Sequence, residues 1–103
     1  MLANEDKWPT VLVVDDDPNL LTAVRRVFRG MDLRVELREG AEAALVFLGE
    51  CPVHLLITDF MMPTMDGLEL LGLVRQRWPE TRTIMMTGTQ DMRVVADAVN
   101  RRL

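Results

Sequence analysis

Residues 53–67 read VHLLITDFMMPTMDG, an apolar run that ends in an aspartate and continues into a turn rich in methionine. The run over residues 53–58 is almost continuously apolar, which is typical of a parallel strand covered on both faces. Asp59 follows this run directly, and no helix pattern starts immediately after it, so helix capping does not explain the aspartate. The stretch therefore predicts a buried strand with a carboxylate at its carboxyl end.

Three further runs have the character of strands, and they cover residues 10–14, 33–37 and 83–87. The first and the last are nearly continuously apolar, like residues 53–58. The run over 33–37 alternates apolar with charged residues, which predicts an edge strand with one face in water.

Helix patterns lie between and after these runs. Apolar residues recur at helical spacing after Asp17 and Pro18, an N-cap and first-position proline, and Gly30 is placed to end this helix. Further patterns cover residues 41–48, 66–77 and 91–102. Alternation of strands and helices with right-handed crossovers predicts an α/β fold, a doubly wound parallel sheet with helices on both faces.

Composition places the chain among globular proteins and limits its partners. At 103 residues, 49% of them hydrophobic and 27% charged, residues 1–103 are expected to form a single domain. The net charge of −4 argues against direct binding of nucleic acid, and no apolar run is long enough for a membrane span. An acidic N-terminus unlike a secretory signal and a single cysteine, Cys51, favour a cytoplasmic location.

Polar residues collect where the predicted strands end. Asp15, Asp16 and Asp17 follow the first strand, Asp59 follows the third, and Thr87 ends the fourth. Since working sites in such sheets lie at the carboxyl ends of the strands, these residues form the candidate site. Crowded carboxylates repel one another unless a cation neutralises them, and a hard divalent ion such as Mg²⁺ suits oxygen ligands. Of these aspartates, helix capping explains only Asp17, which directly precedes Pro18.

A carboxylate beside Mg²⁺ can act as a nucleophile toward phosphorus and form an acyl phosphate. The hydroxyl of Thr87 could donate a hydrogen bond to one of the phosphoryl oxygens, where negative charge develops. The only histidine, His54, opens the third strand at the opposite pole and is expected to have a structural role.

The stretches VLVVDDDPNLL (residues 11–21), LLITDFMMPTMDGLELL (55–71) and TIMMTGTQD (83–91) resemble the three motif blocks of the response regulator receiver family. The middle block is the most specific, and the resemblance extends from about residue 11 to residue 100. It implies a flavodoxin-like sheet with strand order 2-1-3-4, followed in the family by a fifth strand and helix that have no counterpart in this sequence.

By position, the resemblance makes Asp59 the phosphoacceptor and Thr87 the switch hydroxyl. Asp16 becomes a direct Mg²⁺ ligand, Asp15 supports it in part through water, and Met61 supplies a backbone carbonyl to the metal. The implied donor is a phosphohistidine on a sensor histidine kinase or phosphotransfer protein. The implied role is that of a signalling module, not an enzyme, which changes its affinity for an output domain or effector.

The family carries a lysine at the tip of its fifth strand. The only lysine here, Lys7, precedes the first strand and is expected at the opposite pole, while Arg101 or Arg102 could substitute for it. Without a fifth strand, the edge of residues 83–87 is open to pairing with another chain. The sequence therefore predicts self-association through this edge, or rearrangement of the fourth helix.

Two other interpretations stay open. The chain could be a degenerate receiver that serves only as a protein-interaction or dimerisation module. An apolar strand followed by Asp15-x-Asp17 also resembles the start of haloacid-dehalogenase-type phosphatases, with Asp15 as nucleophile. That interpretation gives no account of Asp59 and the turn after it.

Overall fold

The computed structural model describes residues 8–86. Its elements are β1 (Thr10–Val14), α1 (Pro18–Val27), β2 (Arg34–Arg38), α2 (Ala41–Glu50), β3 (Leu55–Asp59), α3 (Gly67–Arg77) and β4 (Arg82–Met86). The predicted alternation is confirmed over this part of the chain. The helix predicted at residues 91–102 lies outside it.

The four strands form one parallel sheet in the order β2-β1-β3-β4, as predicted. The register pairs Val14 with Thr58 and Asp59 with Met86. The carboxyl ends of β1, β3 and β4 therefore lie level, and the residues that follow β1 and β3 emerge at the same pole of the sheet.

The core lies on both faces of the sheet, because alternate residues of a strand point to opposite faces. Val11 and Val13 of β1 pack in one cluster with residues of α1, while Leu12 and Val14 pack in another with residues of α2 and α3. All residues of β1 are buried, so the carboxylates that follow β1 extend from the most protected strand of the sheet.

The predicted starts of three strands are shifted in the structure, and that of β4 moves from residue 83 to Arg82. β2 starts at Arg34 because the N–H of Leu33 donates to the Met31 carbonyl (2.8 Å) in the preceding turn. β3 starts at Leu55, since the carbonyl of Val53 accepts a hydrogen bond from the Thr81 hydroxyl (2.7 Å) instead of a neighbouring strand.

β2 is an edge strand, as predicted, but its charged face is not simply in water. Glu36 lies between Arg34 (3.0 Å) and Arg38 (3.2 Å), and both guanidinium groups lie over the ring of Phe47 in α2. Every residue of β2 is half-buried as a result. The alternation identified the edge correctly, and the helix above it covers the face that was expected to be wet.

One helix end differs from expectation and another agrees with it. α2 continues through Gly49 to Glu50, whereas the predicted helix pattern covers residues 41–48. Gly30, after α1, has φ of 86°, the left-handed conformation that ends helices and that glycine adopts without strain. Among residues 8–86, no helix combines the length and apolar character that crossing a membrane requires.

Candidate functional site

Asp15, the residue after β1, is held in a buried position. Its side chain is only 2% exposed, its N–H donates to the Arg38 carbonyl (3.2 Å), and its Oδ1 accepts the N–H of Asp17 (2.8 Å). Burial raises the pKa of Asp15 from its usual range to about 6; the hydrogen bond from Asp17 opposes the rise, and the nearby charges of Asp59 and Asp16 add to it.

The second carboxylate oxygen of Asp15 has no hydrogen-bond partner. Within residues 8–86, Asp15 Oδ2 is the only buried side-chain nitrogen or oxygen atom in this state. An unpaired buried polar atom costs free energy, and proteins rarely leave one without a functional reason. This atom therefore marks a place where a cation or a hydrogen-bond donor is wanted.

Asp16 and Asp59 complete an acidic cluster with Asp15. Asp59 is the last residue of β3 and is half-buried, whereas Asp16 is exposed. The three side chains can each offer one oxygen such that all three oxygens lie within 4.8 Å of one another. Oxygen atoms at this spacing and of this charge suit a hard divalent cation. The structure thus brings together three residues that the sequence placed at one pole.

Asp17 does not belong to this cluster. It is the N-cap of α1, where its Oδ1 accepts the N–H of Asn19 (2.9 Å), and Pro18 follows in the first helical position. The capping role predicted for Asp17 is confirmed.

A tight turn follows Asp59 and leads into α3. The Asp59 Oδ1 accepts the N–H of Phe60 (2.8 Å), and the Phe60 carbonyl accepts the N–H of Gly67 (2.8 Å), which closes the loop between them. Asp66 and Glu69 form a capping box at the start of α3. The first turn of α3 is therefore fixed next to the carboxyl end of β3.

Sequence reasoning missed the contact between Gly67 and Asp59. A Cβ built on Gly67 would collide with the Asp59 carbonyl oxygen. The one available signal was the glycine itself at the first position of an otherwise well-capped helix, since glycine is a poor helix former.

The other two predicted site residues are not tested by the contacts of the cluster. Met61 lies in the loop two residues after Asp59 with its side chain 69% exposed, and the role of its backbone carbonyl stays a prediction. Thr87 lies outside the described residues. Its chain neighbour Met86 pairs with Asp59 across β3 and β4.

Residues 11–102 match the family model described as the response regulator receiver domain. The chain belongs to the response regulator receiver family. The resemblance of the three motif blocks is thereby confirmed, and the receiver domain is a module of two-component signal transduction.

Two curated relatives of this receiver are transcriptional regulators of greater length. It is 38% identical over 95 residues to the hydrogenase transcriptional regulatory protein HoxA of Cupriavidus necator, covering 92% of the receiver and 20% of HoxA. It is 34% identical over 88 residues to the DNA-binding transcriptional regulator NtrC of Salmonella typhimurium, covering 85% of the receiver and 19% of NtrC. The chain thus spans about a fifth of the length of these relatives.

Solved structures support the fold. The signal receiver domain of an HD domain-containing protein from Pseudomonas fluorescens Pf-5 is 30% identical with a TM-score of 0.77, covering 90% of this receiver and 74% of that chain. An adenylate cyclase structure from Rhodopirellula baltica is 32% identical with a TM-score of 0.73, covering 91% and 70% of the two chains.

Proposed function

We propose that this receiver accepts a phosphoryl group on Asp59 in a Mg²⁺-dependent reaction. The observation that carries the proposal is the partnerless, buried Asp15 Oδ2 inside a cluster whose three carboxylates can converge within 4.8 Å. Such an atom is costly in the free protein and becomes favourable once a cation binds beside it. The cluster lies at the carboxyl end of β3, where the family places its phosphoacceptor.

Asp15, Asp16, Asp59 and the backbone carbonyl of Met61 are the proposed ligands. When bound, Mg²⁺ supplies positive charge that offsets the negative charge on the phosphoryl oxygens during transfer. The half-buried position of Asp59 keeps its carboxylate accessible to a donor, whereas the burial of Asp15 favours a ligand role over a nucleophilic one.

The proposed donor is a phosphohistidine of a sensor histidine kinase or phosphotransfer protein. A carboxylate oxygen of Asp59 attacks phosphorus, the P–N bond breaks, and its electron pair stays on the imidazole nitrogen of the donor. An acyl phosphate on Asp59 results. We assign the hydroxyl of Thr87 to the phosphoryl oxygen that faces β4, since Thr87 follows the residue that pairs with Asp59.

We further propose that the module acts as a switch for an output domain or effector in the cytoplasm, not as an enzyme. Relatives that carry this domain within much longer regulators support an output partner. Self-association through the edge of β4 is also proposed, because β4 pairs with β3 alone among the strands of the described sheet.

The test is incubation of the 103-residue chain with Mg²⁺ and phosphoramidate, followed by borohydride reduction and mass spectrometry to locate any acyl phosphate. We expect label on Asp59, none in excess EDTA, and none in an Asp59→Asn variant. Asp17→Asn is the matched control: it changes a carboxylate outside the cluster, keeps a capping side chain, and should label like the wild type.

The other outcomes separate the alternatives. Label on Asp15 would support a phosphatase of the haloacid-dehalogenase type, which the capping role of Asp17 and the family match both disfavour. A folded protein that takes no label under any condition would support a receiver used only as an interaction module.

A further inference from the structure

The start of α3 lies against the backbone of Asp59. A Cβ added to Gly67 would stand closer to the Asp59 carbonyl oxygen than real Cβ atoms come, and 3.1 Å from Phe60 Cα. The reason for glycine is space and not backbone conformation, because Gly30 is the only glycine of residues 8–86 with positive φ. Any side chain at Gly67 must therefore displace either the start of α3 or the backbone of Asp59 and Phe60.

The helix offers little room to move away. Asp66 accepts the N–H of Glu69 (2.9 Å), and Glu69 in turn accepts the N–H of Asp66 (3.3 Å), which fixes the first turn. Further along α3, the side chains of Leu70, Leu71 and Val74 are buried in the core. Because packed cores resist displacement, the first turn of α3 is held in place beside β3.

The segment on the other side carries the carboxylate. The N–H of Phe60 donates to Asp59 Oδ1 (2.8 Å), so a shift of the peptide between Asp59 and Phe60 also moves this oxygen. The hydrogen bond from the Gly67 N–H to the Phe60 carbonyl (2.8 Å) ties the next peptide, between Phe60 and Met61, to the start of the helix. A side chain at Gly67 that displaced this backbone would therefore also move the Asp59 carboxylate.

We propose that Gly67 is a positioning residue: its lack of a side chain sets the place of the Asp59 carboxylate relative to Asp15 and Asp16. The proposal rests on the proposed function of Asp59 as phosphoacceptor and metal ligand. It extends that function to a residue that contacts neither the metal nor the phosphoryl group.

The test compares Gly67→Ala with Gly72→Ala. Gly72 lies in the same helix, and a Cβ added there meets nothing within 4 Å, so the control makes the same chemical change without a collision. The dissociation constant of Mg²⁺ is measured by calorimetric titration, well below the unfolding temperature of each variant. We expect Gly67→Ala to raise it by about tenfold or more, as for changes to groups that orient metal ligands, and Gly72→Ala to leave it unchanged.

A purely structural role for Gly67 would lower the unfolding temperature but leave the Mg²⁺ dissociation constant at the wild-type value, and that result would overturn the proposal. The rate of labelling by phosphoramidate at saturating Mg²⁺ is the second readout, and it should fall in Gly67→Ala only. If Gly67→Ala does not fold, it is replaced by the Gly67→Ala/Gly72→Ala double variant in sucrose, because the second alanine and the osmolyte both stabilise the folded state. Wild type and Gly72→Ala are then measured in the same solvent.

Failure of this inference is distinguishable from failure of the proposed function. A wild-type chain that binds Mg²⁺ but takes no label on Asp59 overturns the proposed function. A wild-type chain that labels normally, with equal Mg²⁺ affinity in the two alanine variants, overturns the role of Gly67 alone.

Discussion

Asp15 carries the main electrostatic cost of the acidic cluster. It is buried, one of its oxygens is unpaired, and its pKa is raised to about 6 by desolvation first, with the charges of Asp59 and Asp16 adding to the effect. The ordinary value is 3.8, so between these two pH values the folded chain binds more protons than the unfolded one. The contribution of Asp15 to stability therefore falls as pH rises through this window.

Replacing Asp15 by asparagine should stabilise the metal-free protein at neutral pH. The amide keeps an acceptor for the Asp17 N–H and adds a donor that faces the other carboxylates. We expect Asp15→Asn in EDTA at pH 7.5 to raise the free energy of unfolding by about 1–2 kcal/mol, measured by urea denaturation. At pH 4.5 this gain should largely disappear, because the wild-type carboxyl is then protonated.

Saturating Mg²⁺ should reverse the order at pH 7.5, since the wild type gains binding free energy that the variant lacks. A variant less stable than the wild type in EDTA at pH 7.5 would contradict this account of Asp15. Mg²⁺ affinity of the wild type should also weaken as pH falls below about 6, because protons then compete for the carboxylate.

His54 connects three strands at the pole away from the acidic cluster, through its imidazole and its backbone. The imidazole Nδ1 of His54 accepts the backbone N–H of Thr10 (2.9 Å). The backbone N–H of His54 donates to the Thr10 carbonyl (2.9 Å), and its carbonyl accepts the backbone N–H of Arg82 (3.0 Å). His54 thereby joins β1, β3 and β4 just before the ladder begins. Its imidazole serves as a structural acceptor, in agreement with the structural role expected from its position.

Removing this imidazole should weaken the sheet without changing the site. In His54→Ala the N–H of buried Thr10 loses its acceptor, which should lower the free energy of unfolding by about 1–2 kcal/mol in urea denaturation. His54→Asn, whose amide oxygen can take the place of Nδ1, should recover part of the loss. Labelling of Asp59 in both folded variants should match the wild type, and a loss of label would show coupling between the two poles.

At the scale of the whole molecule, the described sheet has two different edges. β2 is covered by paired charges over Phe47, a feature that blunts an edge against pairing. β4 carries the partly exposed apolar side chains of Ile84 and Met85. Of the two edges, β4 is the one suited to pairing with a second copy.

The 103-residue chain should therefore self-associate at micromolar concentration. Light scattering should give a mass above the 11.8 kDa of one chain and approach that value on dilution. A mass of one chain across the whole concentration range would contradict the prediction, and labelling of Asp59 would be unaffected by that outcome.

Sequence alone determined the order of elements, the parallel sheet, the carboxylates at its pole and the cap at Asp17. These features follow from local rules: apolar periodicity, capping residues and the position of charged residues after apolar runs. Family motifs added the proposed roles of Asp59, Met61 and Thr87. Element ends were shifted by one or two residues where side chains such as that of Thr81 took over a backbone partner.

Only the tertiary structure decided which of these residues are buried, paired or in contact. The unpaired Asp15 Oδ2, the collision that a Cβ on Gly67 would cause and the cover over the charged face of β2 all depend on crossovers that bring distant segments together. No local pattern reports these distances, because close approach and desolvation are set by packing between elements and not within them.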